Sequence, residues 1–202
     1  MYRPKHFAMT DENAMFSVVE KNSFATLISV QEGAPCATHL PLILDRKAGV
    51  LYGHFARANT QWKSIAAQEA LAIFHGPHSY ISPSWYETEQ AVPTWNYVAV
   101  HVYGRAEIVN DPVEIMTLMK LMTMNYEDEH QPYRVDEVSP AMISGLLRGI
   151  VAFKVSIDRM EGKCKLSQNH SQERRKRVID NLKMSPHEAE HLIAELMEED
   201  LN

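Results

Sequence analysis

The alternation of apolar and polar positions predicts a chain built mainly of short strands joined by turns. Residues 23–30 and 36–44 are apolar runs on either side of a turn that contains Gly33, a pattern typical of a β-hairpin. Further strands are predicted at residues 49–55, 71–74, 95–109 and 149–157. Consecutive hairpins without helical crossovers favour an antiparallel sheet, and about six short strands suit a small closed or split barrel.

Helices are predicted around this sheet where apolar residues recur every three or four positions. They cover residues 10–21, residues 58–68 and segments that start after Asp111, after Ser139 and at Ser171. Ser185 and Glu188 form the pattern of a capping box for the last helix. Residues 75–93 are rich in Gly, Pro, Ser and aromatic side chains and are predicted to form a long loop. The predicted fold class is therefore α+β, a β-barrel with helices packed outside.

The composition limits the classes of function. The 202 residues carry a net charge of −6, so bulk charge gives the chain no affinity for nucleic acid. The two cysteines, Cys36 and Cys164, form no CxxC pair, which suits a reducing compartment. The N-terminal segment contains no long apolar run, so neither a signal peptide nor a membrane span is expected. We therefore expect a cytoplasmic protein.

A candidate ligand site begins in residues 38–42, with the sequence THLPL. Proline cannot donate to a strand ladder, so Pro41 marks an edge strand or a bulge. Bulges often free a side chain or a backbone group for a ligand. The alternative is a plain edge strand on which His39 is a surface residue.

A second candidate lies in residues 53–59, with the sequence GHFARAN, where a strand ends and a helix is predicted to begin just after Arg57. Helix N-termini favour anions, and an arginine can bind a phosphate through two hydrogen bonds. Small residues such as Ala56 would let a ligand approach the backbone. The alternative is a capped surface helix with a solvated arginine.

Two aromatic segments follow. Residues 74–86 are too aromatic for a solvated linker, so they pack against a ligand, another subunit or the protein's own core. Trp95 and Tyr97 lie on one face of a predicted strand and Asn96 on the other. This mixture suits a planar aromatic ligand with polar edges, because rings stack on its plane and polar groups meet its edge.

Metal binding and hydrolysis are disfavoured. His75 and His78 have no carboxylate or cysteine at ligand spacing, and the chain has no GxSxG elbow. No metal site and no catalytic residue are therefore predicted. The basic run at residues 173–177 is interpreted as a solvated helix face, with DNA contact as the alternative. The methionines of residues 116–124 are interpreted as core or dimer packing.

Four segments taken together resemble one family. They are residues 37–42 (ATHLPL), 51–59 (LYGHFARAN), 76–86 (GPHSYISPSWY) and 92–97 (VPTWNY); the N-terminal MYRP and residues 163–169 (KCKLSQN) match as well. On these segments the chain resembles the PaiB-type family of FMN-binding negative transcriptional regulators. One departure is Thr60, since relatives usually have proline between the asparagine and the glutamine of this segment.

The resemblance implies a split β-barrel of the FMN-binding type, built as a homodimer with FMN sites at the subunit interface. It implies that the strand from His39 to Leu42 lines the isoalloxazine and that residues 54–59 hold the ribityl phosphate. Lys165, Ser167 and Asn169 are then expected near a site of the same or the partner subunit. The cofactor-binding residues expected from both arguments are His39, Leu40, Pro41, Leu42, His54, Ala56, Arg57, Asn59, Trp95, Asn96, Lys165 and Ser167.

The resemblance also implies a domain organisation and a function. Residues 1–165 would form the barrel, and residues 166–202 a helical extension packed on the barrel or on the partner subunit. The implied function is negative regulation of sporulation and of extracellular protease synthesis, through DNA directly or through partner proteins. The alternatives are a flavin-dependent oxidoreductase acting on a small molecule and a structural dimer without flavin. An enzyme is less favoured, because no residue has a visible base or nucleophile partner.

Overall fold

The computed structural model describes residues 1–66, 68–86, 91–127, 130 and 133–201. The strands are β1 (Ala8–Met9), β2 (Phe24–Gln31), β3 (Ala34–Pro41), β4 (Ile43–Asp45), β5 (Val50–Ala56), β6 (Glu69–Ile81), β7 (Thr94–Ile108) and β8 (Ile150–Lys165). The helices are α1 (Glu12–Lys21), α2 (Trp62–Ile65), α3 (Pro112–Tyr126), α4 (Pro140–Arg148), α5 (Gln172–Lys183) and α6 (Glu188–Glu199).

Within the described residues, eight strands form one sheet in the order β3-β2-β6-β7-β8-β5-β4, and β1 pairs with β8. The registered pairs β1–β8, β2–β3, β2–β6, β4–β5 and β5–β8 are antiparallel. The predicted antiparallel α+β class is confirmed, with two more strands than expected. None of the described helices is long and apolar enough to cross a membrane.

The chain divides into two compact units. Unit 1 comprises Met1–Lys21, His75–His101 and Glu161–Asn202, and unit 2 comprises Asn22–Phe74 and Val102–Met160. In unit 1, α5 and α6 bury their apolar faces in a core cluster that contains Ile81, Tyr86, Leu166, Val178, Leu182 and Ile193. In unit 2, the rings of Phe55 and Phe153 stack with centroids 4.6 Å apart. The proposed boundary between residues 165 and 166 stays a prediction.

The first hairpin forms where the sequence predicts it. Glu32 and Gly33 have φ angles of 53° and 82°, the conformation that a tight turn needs and that glycine adopts without strain. The expectation of a single strand over residues 36–44 is wrong. β3 ends at Pro41, which has no N–H for the ladder, and the next residues form β4, which pairs with β5. β3 is an edge strand, as Pro41 predicts.

The predicted helix over residues 58–68 is also wrong, because the only helix in its described part is α2, with four residues. The side-chain Oδ1 of Asn59 accepts a hydrogen bond from the backbone N–H of Gln61 (3.0 Å). This local bond closes a turn over residues 57–61 and delays the helix until Trp62. Ala67 lies outside the described residues.

The predicted loop over residues 75–93 is wrong in its first part, because β6 continues to Ile81. Buried residues alternate along β6, and this alternation changes phase at Pro77. Even-numbered residues up to Gly76 are buried before the proline, and the odd-numbered Ser79 and Ile81 are buried after it. Gly and Pro in this stretch thus mark an irregularity inside a strand. Residues 87–90 of the predicted loop lie outside the described part.

The strand predicted over residues 149–157 is too short, because β8 continues to Lys165. With 16 residues, β8 is one residue longer than β7.

The helix starts at Asp111, Ser139 and Ser171 are confirmed, because each side chain accepts a hydrogen bond from a backbone N–H of the first turn. The capping box at Ser185 is wrong. α6 starts only at Glu188, and the Ser185 hydroxyl accepts a hydrogen bond from the N–H of His187 instead.

Candidate functional site

Three polar side chains of unit 2 fix the turn of residues 57–61 against the edge strand β3. The Thr38 hydroxyl donates to Oε1 of Gln61 (2.5 Å) and accepts a hydrogen bond from Nδ2 of Asn59 (2.8 Å). Asn59 also accepts from the backbone N–H of Gln61. The turn therefore has one defined conformation next to the strand.

Gln61 anchors this turn in the protein interior, where its exposed fraction is 0%. Its Nε2 donates to the hydroxyl of Ser29 (2.9 Å) and lies 3.2 Å from the carbonyl of Leu27 and 3.3 Å from that of Cys36. Both polar atoms of the amide are thus paired with β2 and β3, which compensates the cost of burying them.

Arg57 lies at the start of the same turn. Its Nε donates to the carbonyl of Arg148 (2.6 Å), its Nη2 to that of Ile150 (2.5 Å), and its backbone N–H to that of Gly149 (2.7 Å). A guanidinium has five N–H groups, so three remain for a ligand on this exposed side chain. The helix-dipole argument for an anion site is wrong here, because α2 begins five residues later and has four residues. Any phosphate affinity therefore comes from the guanidinium itself.

His54 faces a separate cavity in unit 2. The cavity has a volume of about 250 Å³, and its lining is mostly apolar, with His54, Met116, Met119, Ile143, Leu147 and Ile150 among its residues. The Nδ1 of His54 is buried and has no hydrogen-bond partner among the described residues. Burial lowers the pKa of His54 below its usual value, so the ring is neutral near pH 7. Ala56, two residues further along β5, is exposed.

The strand predicted to line an isoalloxazine does not present all four side chains to one surface. Leu40 and Leu42 are buried in the core of unit 2. His39 is exposed, and its Nδ1 lies 3.0 Å from the hydroxyl of Thr26. Since neighbouring residues of a strand point to opposite faces, only His39 and the half-buried Pro41 offer side chains to a ligand there.

The remaining predicted residues belong to unit 1. Lys165 Nζ donates to the hydroxyl of Thr94 (2.7 Å) and to the carbonyl of Trp95 (2.6 Å). Asn96 is fully buried, and its Nδ2 donates to the hydroxyl of Ser167 (3.1 Å). The ring of Trp95 is exposed, as the strand alternation predicts. Asn96 and Ser167 therefore stabilise the interior of the unit, and Trp95 and Lys165 have surface for a ligand.

Of the two residues that organise the turn, Gln61 was not among the predicted site residues, and Thr38 was included only as part of the candidate segment of residues 38–42. Both lie in or next to segments that carry the family resemblance, which was the available signal. Their pairing joins positions 23 residues apart. Sequence periodicity does not reveal such a contact, because neither residue breaks the pattern of its own element.

The basic run at residues 173–177 does not form an open cationic face. Arg175 is buried, and its Nη2 donates to Oδ2 of Asp200 (2.5 Å). Arg174 and Arg177 are half-buried, and among the four basic side chains only Lys176 is fully exposed. Helix α5 thus uses this run mainly for packing within unit 1.

The chain is similar to a known family and to several of its members. Residues 1–159 match the family described as "Putative FMN-binding domain". The chain is 40% identical over 205 residues to the protease synthase and sporulation protein PAI 2 of Bacillus subtilis (strain 168), covering 100% of this chain and 98% of that protein. An uncharacterised protein of Emericella nidulans is 30% identical over 203 residues, with 81% of each chain covered.

Solved structures show the same fold at low sequence identity. A flavocytochrome from Azotobacter vinelandii superposes with a TM-score of 0.63 and 16% identity, covering 82% of this chain and 72% of the other. The FAD and heme binding protein from Mycobacterium smegmatis has a TM-score of 0.56 and 15% identity, covering 78% and 73%. These similarities confirm the predicted split barrel.

The segments that form β3, β5 and the turn of residues 57–61 all lie inside the matched region. The resemblance to PaiB-type proteins and the cofactor it implies, FMN, are confirmed at the level of the family. Similar to the Bacillus subtilis protein along its whole length, this chain belongs to the FMN-binding domain family.

Proposed function

We propose that this protein is an FMN-dependent negative regulator of sporulation and of extracellular protease synthesis. The regulatory part of the proposal is supported by the printed name of its Bacillus subtilis relative, a protease synthase and sporulation protein. The flavin part is supported by the family and by the geometry of unit 2. The two free cysteines favour a role in the reducing cytoplasm.

The observation that carries the flavin site is the immobilised guanidinium of Arg57. Two carbonyl acceptors hold it in place, and three N–H groups stay available for a phosphate. Ordering the side chain in advance lowers the entropic cost of binding. Asn59 and the exposed Ala56 flank it, so a phosphate at Arg57 meets a polar side chain and little steric hindrance. These residues fit the ribityl phosphate of FMN.

The isoalloxazine is proposed to lie along β3. Because Leu40 and Leu42 are buried, they contribute backbone groups, while His39 and Pro41 contribute side chains. His54 remains proposed from the resemblance alone, because its neutral ring faces the separate cavity of unit 2 and not β3. Trp95, Asn96, Lys165 and Ser167 remain proposed from the resemblance, with Trp95 and Lys165 as the accessible members. The flavin, when bound, supplies redox chemistry that no amino-acid side chain offers.

A homodimer is proposed from an exposed apolar sheet face in unit 2. Phe24 and Val30 of β2 are 69% and 48% exposed, and Ile28 lies on the same face between them. Their partners on β3 include the exposed Pro35 and Ala37. A second copy of the chain would remove this apolar surface from water. Sedimentation velocity should give twice the monomer mass, and Phe24→Lys should shift the species towards monomer.

Direct DNA binding is the weaker route to regulation. The net charge is −6, and Arg175 of the basic run is bound to Asp200 inside unit 1. A DNA contact through α5 would therefore rest on few exposed cations. We propose that regulation runs through partner proteins or through another surface, and a mobility-shift assay at two salt concentrations tests direct binding.

The alternative function is that of a flavin-dependent oxidoreductase. One observation favours it, namely the cavity of about 250 Å³ lined by His54, which has room for a small apolar molecule. For comparison, an apolar cavity of about 150 Å³ binds benzene. The FMN-loaded protein should oxidise reduced nicotinamide or a small substrate if this alternative is correct. Absence of turnover together with an FMN-dependent partner interaction supports the regulator.

The flavin proposal is tested by titration of the purified protein with FMN. We expect the flavin absorbance to change on binding and the melting temperature to rise by mass action. A colourless protein with no thermal shift at saturating FMN would refute the cofactor proposal.

A further inference from the structure

The cavity that His54 faces in unit 2 is lined by residues of the helices α3 and α4 and of the strands β5 and β8. Its volume is about 250 Å³. For comparison, an apolar cavity of about 150 Å³ binds benzene. The cavity in unit 2 therefore has room for a molecule of one or two aromatic rings.

Each of the two helices presents one face to this cavity. Met116 and Met119 of α3 line it and lie three positions apart, and α4 contributes Ile143 and Leu147, four positions apart. Residues at these spacings lie on the same side of a helix. Burying an ionised group against such an apolar wall is costly, so the wall selects uncharged molecules.

His54 gives the cavity a polar group. Burial lowers the pKa of His54, so its ring is neutral near pH 7. A neutral imidazole has one N–H donor and one nitrogen that accepts. The hydroxyl of Thr123, which also lines the cavity, donates to the carbonyl of Met119 (2.8 Å) within α3. A ligand with one N–H or O–H group would therefore pair with His54.

Helix α4 has little packing of its own. Its side chains Ile143 and Leu147 are half-buried, and the other side chains between Ala141 and Arg148 are exposed. Helices in proteins obtain most of their stability from the packing of an apolar face. A molecule in the cavity would give Ile143 and Leu147 additional packing partners, so it would hold α4 more firmly.

The chain directly after α4 holds Arg57. The Nε of Arg57 donates to the carbonyl of Arg148 (2.6 Å), its backbone N–H to that of Gly149 (2.7 Å) and its Nη2 to that of Ile150 (2.5 Å). Leu147 and Ile150 also line the cavity. One short segment therefore contacts the cavity through its side chains and Arg57 through its carbonyl groups.

We propose that this cavity binds a small uncharged aromatic molecule with one hydrogen-bond donor, and that the bound molecule, acting through α4 and Arg57, tightens the binding of FMN. The proposal rests on the proposed flavin function, in which Arg57 binds the phosphate. A ligand that orders a segment lowers the entropic cost for a second ligand that needs the same order. The coupling is therefore positive, and each ligand strengthens the other by the same factor.

Isothermal titration with indole, an uncharged aromatic molecule with one N–H group, tests the site. We expect indole to bind to the FMN-free protein, and benzoate, which is ionised near pH 7, to bind about tenfold or more weakly. Saturating indole should tighten FMN binding about fivefold or more, since coupling between sites is commonly of this size. Saturating FMN should tighten indole binding by the same factor.

A filled cavity should no longer take the probe. Ile143→Trp places an indole ring in the cavity, so indole should not bind and should not change the FMN affinity. The matched control is Met142→Trp, which adds the same side chain at the neighbouring position, where Met142 is 57% exposed. Met119→Trp fills the cavity from α3 as a second variant, and circular dichroism with thermal melts shows which variants fold.

The route through Arg57 is tested separately. In Arg57→Gln, indole should still bind, but the weakened FMN affinity should no longer depend on indole. Hydrogen exchange of the α4 amides in the wild-type protein should slow when indole is added, because the helix is held more firmly.

The proposal is overturned if indole does not bind, if indole and FMN bind independently, or if Met142→Trp removes the effect as completely as Ile143→Trp. Independent binding of both ligands would refute the coupling and leave the flavin function intact. Binding of indole by a protein that binds no FMN would refute the flavin function and the coupling together. Mutual tightening that is lost in the filled variants and in Arg57→Gln supports the proposal.

Discussion

Replacing Gln61 with leucine should destabilise the protein more than any other change at the turn of residues 57–61. The side chain is completely buried and pairs with Thr38, Ser29 and two backbone carbonyls. Leucine keeps most of the volume but leaves the buried hydroxyl of Ser29 and the half-buried hydroxyl of Thr38 without their partner at position 61. A net hydrogen bond contributes about 0.5–1.5 kcal/mol, and an unsatisfied buried group costs about 1–3 kcal/mol. We therefore expect a loss of about 2–4 kcal/mol in the free energy of unfolding.

Urea denaturation followed by circular dichroism measures this loss, with an unchanged m-value as the check on two-state unfolding. The matched control is Gln68→Leu. Gln68 also bonds to β2, through the N–H and the carbonyl of Val30, but these bonds are open to water. Water can replace them, so the control should lose less than about 1 kcal/mol. Equal losses for the two variants would refute the role assigned to Gln61.

Three further predictions concern packing, protonation and thiol reactivity. Gly104→Ala would place a Cβ 2.1 Å from the carbonyl oxygen of Ser156, so we expect a loss of about 3 kcal/mol or more in urea denaturation. Burial lowers the pKa of His54 in the folded state, so the unfolded chain takes up its proton first. The stability of the wild-type protein should therefore fall as the pH drops below about 6.5, and the fall should be smaller in the His54→Leu variant. Thermal melts of the two proteins between about pH 7.5 and pH 5.5 measure this difference. Burial and then Asp200 raise the pKa of Cys164 to about 12, so iodoacetamide near pH 8 should label Cys36 and spare Cys164 in peptide mass spectra.

The elements that the sequence predicted well are those with a local cause. The hairpin turn needs the positive φ of Gly33, and the helices after Asp111, Ser139 and Ser171 begin with a side-chain cap. These signals act within three or four residues, so they can be recognised without knowledge of the fold.

One group of errors arose where distant contacts decided the structure, and another where a local side-chain bond competed with the helix pattern. The second half of β6 was predicted as a loop because Gly76 and Pro77 usually interrupt strands, whereas here the sheet accommodates them. The helix predicted from residue 58 was shortened because the side chain of Asn59 closes a turn. Sequence analysis found Arg57 from its charge and position. It could not find the contact of Thr38 with Gln61, which exists only because β3 and the turn meet in the folded protein.

The most direct measurement of the central claim compares the affinities of FMN and riboflavin for the wild-type protein and for Arg57→Gln. An arginine that binds the phosphate should contribute about 1.5–3 kcal/mol, so the variant should bind FMN about 10–100-fold more weakly. Riboflavin has no phosphate, so its affinity should change little if the fold is intact. The exposed Lys47→Gln serves as the charge-matched control and should leave both affinities unchanged. Equal weakening of FMN and riboflavin by Arg57→Gln, or no weakening of FMN, would contradict the assignment of the phosphate to Arg57.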